Sequence, residues 1–254
     1  MLNFLENSLI VMGSIASALL LLWQLRRVWP PQNRKAHNDL IGWQIGFLGT
    51  TYAVIIAFML SGVWHDYQSA EENAEVEANS LINLYRMADG MPTVSCAQLK
   101  SLTRRYADLM ITDEWPAMAN GTLNDHGARL LQIMWKSAIQ AQPQTPGETA
   151  ILNRVVTELS NLAEHYRVRQ YQSRSHLPSL FWLVLIVGGV ITVAYTCLLG
   201  VESHRMHVIQ VGTTALIISL ILVTIADVDH PFGGAIHVSP DSFRVALKTF
   251  DTPP

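Results

Sequence analysis

The sequence predicts an all-α membrane protein: four transmembrane helices, with an extramembrane helical bundle inserted between spans two and three. Three observations carry that prediction. Half of the residues are hydrophobic and only 15% are charged, a balance unusual for a soluble domain and ordinary for a multi-span chain. Residues 40–64 contain no charged side chain, and at ~1.5 Å per helical residue such a run crosses a hydrocarbon layer of roughly 30 Å. The run then passes through His65-Asp66-Tyr67 into AEENAEVEANSLINLYRMAD with no Pro or Gly before Gly90, so the same helix continues past the membrane boundary.

In chain order, residues 8–25 (SLIVMGSIASALLLLWQL) form the first span. Its basic residues, Arg26 and Arg27, follow the apolar run, which fits a retained span better than a cleaved leader. Trp23 and Trp29 stand where interfacial aromatics belong. A connector, 28–39, holds Pro30-Pro31 and Arg34-Lys35 and leads into span two. Span three covers 177–201, opened by Pro178 with Phe181 and Trp182 near the interface. Span four, 208–226, follows a short turn containing Glu202, His204, Arg205 and His207, so the two make an antiparallel hairpin. The expected segments are therefore 1–64 (spans one and two), 65–176 (helical domain), 177–230 (spans three and four) and 231–254 (tail).

Within the helical domain, Tyr67, Ala74, Leu81 and Ala88 repeat every seven residues, with Ala78 and Tyr85 on the same face. Leu152, Val155, Leu159, Leu162 and Tyr166 repeat at three and four, and the two helices pair as an antiparallel stalk. Gly90-Met91-Pro92 ends the first helix and 143–147 precedes the last. Two shorter helices, 96–111 and 123–141, close the bundle, and Asp113-Glu114-Trp115-Pro116 is expected to separate them. In the tail, HPFGG stops the fourth span and reverses the chain, Phe232 anchors in the bundle, and Ser239 or Asp241 caps a short helix.

Charge bounds the partners. A net charge of -3 with no concentrated basic segment excludes a nucleic-acid ligand, leaving the lipid bilayer and inorganic ions. Arg26, Arg27, Arg34 and Lys35 in the first connector place that connector in the cytoplasm and the helical domain outside, while Arg167, Arg169 and Arg174 before span three weigh the other way. Cys96 and Cys197 lie in a polar segment and an apolar span, so no internal disulfide is expected.

The chemistry of the spans points to permeation. Gly49, Ala53, Ala57 and Ser61 form a small-residue stripe that allows close helix approach in lipid. Helix packing alone explains such a stripe, but it also lets copies of span two surround an axis, with Thr50, Thr51 and Phe58 facing a pore. Hydroxyls replace part of an ion's hydration shell, and an apolar ring gates by dewetting. Spans two and four end on one membrane face, which gathers His65, Asp66, Glu71, Glu72, Glu75, Asp227, Asp229 and His230 into an acidic mouth that concentrates cations, unless these acids are solvated or paired with arginine. A metal site from His65, Glu72, Asp229 and His230 has suitable ligand types but no ligand-motif spacing, and no metal or cofactor is assigned. No phosphate loop, Gly-x-Ser-x-Gly elbow or His-Glu-x-x-His pair occurs, so no enzymatic activity is expected.

Span two with its continuation (LGTTYAVIIAFMLSGVWHDYQSAEENAEVEANSLINLYR), together with DHPFGGAIHVSPDSF after span four, resembles the bestrophin-like family of bacterial membrane proteins. The resemblance covers spans two to four, the helical domain and the tail. It implies a ring-shaped homo-oligomer of channel-like role in the bacterial cytoplasmic (inner) membrane, with the large helical part on the cytoplasmic side. Family analogy favours anions, whereas the acidic mouth favours cations. Two functions from other classes remain beside the channel: a non-conducting sensor or scaffold whose helical domain binds a ligand or partner, and a proton- or metal-coupled transporter.

Overall fold

Long runs without helix breakers carry the chain through ten α-helices among the described residues, 4–252 of a computed structural model, with no strand. The outermost ends of the first and last expected segments, 1–3 and 253–254, lie outside the described residues. Four helices among the described residues are long and apolar enough to cross a membrane. They are α1 (Phe4–Val28), the first part of α3 (Asn38–Met87), α8 (Ser179–Leu198) and α9 (His204–Val228). The connector between the first two contains α2 (Pro31–Arg34) and a 3-10 turn, Lys35–His37. The chain divides into two units: a membrane unit up to His65 with His176–Asp229, and a helical unit of Asp66–Ser175 with the chain from His230 onward.

In the membrane unit, α1 and α9 lie antiparallel, with Ala18 and Leu22 packed against Val211 and Ala215. Asn7 donates to Asp227 at one end of this pair (2.7 Å), and Arg26 bonds His207 at the other (3.2 Å). The third span is tied to the second by Tyr52, whose hydroxyl donates to the Leu185 carbonyl at 2.6 Å. The pair Gly188-Gly189 makes this possible, because a Cβ on Gly188 would stand 2.6 Å from the Tyr52 ring. Small residues here let a large ring close the gap between helices.

In the helical unit, the second part of α3 buries Ala70, Ala74, Ala78, Leu81, Leu84 and Ala88, the face that the seven-residue repeat predicts. It runs antiparallel to α7 (Pro146–Gln172), as Asn73 to the His165 carbonyl (3.0 Å) and Asn83 to Glu158 (3.2 Å) show. Helix α7 starts on a capping box: Thr145 accepts from the Glu148 N–H at 3.1 Å, and Glu148 accepts from the Thr145 N–H at 3.2 Å, with Pro146 in the first turn. Such a cap contributes about 1 kcal/mol. α4 (Thr93–Leu109) and α6 (His126–Gln140) complete the bundle through Leu99, Tyr106 and Met134.

One expected break is corrected. Asp113-Glu114-Trp115-Pro116 does not separate two helices: α4 widens into a π-turn, Met110–Glu114, and continues as α5 (Trp115–Ala119). Pro116 lacks an N–H and its ring crowds the carbonyl four residues back, and a local widening of the helix relieves both problems. The break falls after α5 instead, at Gly121, whose φ of 70° suits glycine.

The tail returns to this unit. Phe232 packs edge-on against Trp115 at 5.6 Å, and the Trp115 indole N–H donates to the Val238 carbonyl at 2.9 Å. Helix α10 (Asp241–Asp251) buries Phe243, Ala246 and Phe250, the last stacked on Tyr85 at 4.3 Å. Its N-cap is Pro240 and no side chain caps it; the Ser239 hydroxyl donates to Asp241.

Candidate permeation surface

The packing of α3 within the membrane unit decides which of its faces is left for other contacts. Ile41, Tyr52, Ile56 and Val63 are buried, all on one side of the helix. Phe47, Val54 and Phe58 lie on the opposite side, and Phe58 is 70% exposed. Thr51, Phe58 and His65 recur at seven-residue spacing and therefore share that open side, all three exposed. Thr50 is exposed at its edge and returns its hydroxyl proton to the Gly46 carbonyl at 2.8 Å. Its oxygen lone pairs are left as acceptors. Thr213, Thr214, Ser219 and Thr224 on α9 spend their hydroxyl protons the same way.

The acids expected at the mouth fall into two kinds. Asp66, Glu71, Glu72 and Glu75 are exposed on the helical unit's part of α3. Asp227 and Asp229 are 8% and 7% exposed. Asp227 accepts from Asn7, and Asp229 accepts from the Leu177 N–H at 2.8 Å while its carbonyl meets His176 Nδ1 at 3.1 Å. His230 is half-buried in the helical unit.

A Bestrophin-like domain model matches residues 12–243 of this chain. The chain belongs to the Bestrophin-like family. Solved structures agree in fold. A single-substitution variant of a bacterial bestrophin homologue from Klebsiella pneumoniae superposes with a TM-score of 0.71 at 12% identity, covering 97% of this chain and 100% of that one. Another variant of the Klebsiella pneumoniae homologue gives 0.70 at 14% identity, over 94% and 96%. A structure described only as a membrane protein variant gives 0.70 at 11% identity, over 96% and 97%. No curated protein matches.

Other polar residues of this Bestrophin-like protein are buried in ways that the sequence reading missed. Arg169, counted among the basic residues flanking span three, is instead fully buried in the helical unit. It donates to Glu77 through Nε (2.7 Å) and Nη2 (3.2 Å), with Glu114 at 3.7 Å. Tyr106 donates to Glu77 at 2.7 Å, and Glu114 accepts from Gln170 (2.8 Å) and the Gly127 N–H (3.0 Å). Burial alone would lower the Arg169 pKa, but the Glu77 carboxylate outweighs it and raises the value, so the cation persists. Burial and then Glu114 push the Tyr166 hydroxyl up to about 12, and Tyr106 is raised by burial and Glu77, so both remain protonated donors.

A signal for this network does exist in the sequence. Glu77 sits seven residues from Ala70 and from Leu84, and Arg169 continues the series Val155, Leu159, Leu162, Tyr166. Periodicity thus reaches past apolar residues to a buried ion pair.

Proposed function

We propose that this protein is a homo-oligomeric ion channel of the bacterial cytoplasmic membrane, in which copies meet through span two and line the pore with Thr50, Thr51 and Phe58. The observation that carries this reading is the open side of α3: a row of Thr51, Phe58 and His65, all three exposed, opposite the face fixed by Tyr52. Family membership supports it, since the resemblance to bestrophins implies a ring of subunits. Phe58 supplies an apolar ring that dewets, and Thr50 offers lone pairs without a free proton, which suits a cation. The exposed Asp66, Glu71, Glu72 and Glu75 add a negative field that concentrates cations. His65, Asp227, Asp229 and His230 complete the proposed mouth, with Asp227 accepting from the Asn7 side chain and Asp229 from the Leu177 N–H.

Purified protein in a planar bilayer is expected to give unitary currents; their absence at every voltage and pH tested would leave the scaffold reading. Phe58→Ala should raise unitary conductance roughly two-fold or more by widening the apolar constriction. An unchanged conductance would move the constriction elsewhere. Glu72→Gln with Glu75→Gln should shift the reversal potential in a KCl gradient toward the chloride value, and an unmoved potential would take these acids off the ion's path.

A further inference from the structure

His207, in the first turn of α9 and ahead of the apolar run of span four, has none of its surface exposed. Both ring nitrogens are engaged. Nε2 lies 3.0 Å from the Thr196 carbonyl in the last turn of α8, and a carbonyl only accepts, so Nε2 carries a proton. Nδ1 lies 3.2 Å from Nη1 of Arg26, and a guanidinium only donates, so Nδ1 is a bare lone pair. The two contacts fix one tautomer of a neutral ring. That ring joins α1, α8 and α9 at one end of the membrane unit, next to the buried cluster of Ala18, Leu22, Cys197, Val211 and Ala215.

The surroundings of the ring are positive. Arg26 faces it from α1, Arg34 from α2 and His204 from the start of α9. Arg26 spends further donors on the Val201 carbonyl (3.3 Å) and the Glu202 carbonyl (3.4 Å), and Arg34, fully buried, donates to the Cys197 carbonyl at 2.5 Å. The carboxylate of Glu202 is held by Lys35 at 2.7 Å, with both side chains mostly in solvent. The carbonyl end of α8 supplies about half a negative charge, which favours a charged ring. Two guanidinium groups outweigh it.

A proton added to Nδ1 would turn the acceptor for Arg26 into a donor aimed at another donor, and would bury a third positive charge beside Arg26 and Arg34. The contact cannot survive that change. We propose that His207 is an acid-sensitive latch, closed while its ring is neutral, whose protonation releases the end of span one from span four. Opening lets Arg26 turn toward solvent and uncovers the adjacent cluster, including Cys197. The sign follows from linkage: the open ring takes up a proton in the ordinary histidine range, near ~6.5, and the closed ring excludes it. The latch is therefore fully held above that pH and weakens as the pH falls through it. The proposal stands apart from the permeation reading, because it is read by thiol exposure rather than by current.

Cys197 reports the opening, since it is a free thiol with none of its surface exposed. In the whole chain carrying Cys96→Ser, in detergent, its reaction with 4,4′-dithiodipyridine is normalised to that of glutathione at each pH. The rate should rise roughly ten-fold between pH ~7.5 and pH ~5.5, the latter one unit below the free histidine value. His207→Gln offers an amide N–H to Thr196 and an amide oxygen to Arg26 but gains no proton, so its rate should stay flat. A flat profile with His207 in place, or an equal rise in both proteins, would overturn the proposal. Should His207→Gln fail to fold, hydrogen–deuterium exchange at the imidazole C2 position of the unsubstituted protein decides the matter. Titration of His207 near ~6.5 in the folded state overturns the latch, and a ring that stays neutral below that pH supports it.

Discussion

Arg169→Met is expected to destabilise the helical unit by about 3–5 kcal/mol, because it strips the cation that pairs with two buried carboxylates, Glu77 and Glu114. Glu77 would keep the Tyr106 hydroxyl, and Glu114 would keep Gln170 and the Gly127 N–H. Neither set of neutral donors replaces a bidentate guanidinium. The loss should appear as a lower thermal midpoint and as faster proteolysis within residues 66–175. Changing the carboxylates along with the cation separates net charge from packing. With Glu77→Leu and Glu114→Gln added, much of the stability should return, since a well-packed apolar group is often as good as a buried ion pair. A single variant that unfolds at the wild-type midpoint would mean that the network carries no weight.

Gly200→Ala should have the second-largest effect. The added methyl would meet the Lys35 nitrogen at 2.6 Å, the Lys35 Cα at 2.8 Å and the Pro31 carbonyl at 2.8 Å. All three are backbone atoms, so no rotamer change relieves the contact and the connector must move. Moving it strains the clasp in which Asn38 accepts from the Gly200 N–H at 2.8 Å and donates to its carbonyl at 3.4 Å. Overpacking of this kind costs about 1–3 kcal/mol. Gly212→Ala is the matched control in α9, where a Cβ meets nothing within 4 Å, and it should leave the midpoint unchanged or slightly raised. If the two variants melt together, the connector is not held where its packing indicates.

The all-helical fold and the four spans were legible because they depend on signals that run along the chain. Residues 40–64 lack charge, and the absence of Pro and Gly between Gly62 and Gly90 keeps α3 unbroken to Met87. The alanine register of the helical unit was equally visible. What stayed hidden depends on contacts across the chain. Glu71, Glu72, Glu75 and Glu77 look alike in composition, yet only Glu77 faces inward, toward an arginine ninety-two positions later. The π-turn was missed because Pro116 reads as a breaker, whereas a widened turn absorbs it. Arg34 gave no warning, because a buried arginine in a short connector follows no period. Of the candidate permeation surface, the seven-residue spacing already puts Thr51 and Phe58 on one side of α3, but the burial of Asp227 and Asp229 was not legible.

The docking of α10 sets an order on biosynthesis. Phe243, Ala246 and Phe250 fill the core of a bundle whose other helices are translated before the last two spans. While the ribosome is delivering α8 and α9 to the bilayer, that bundle waits with an uncovered seam around Trp115 and Tyr85. Chaperones and proteases therefore have a window in which to inspect the nascent chain, closed when α10 has emerged and docked.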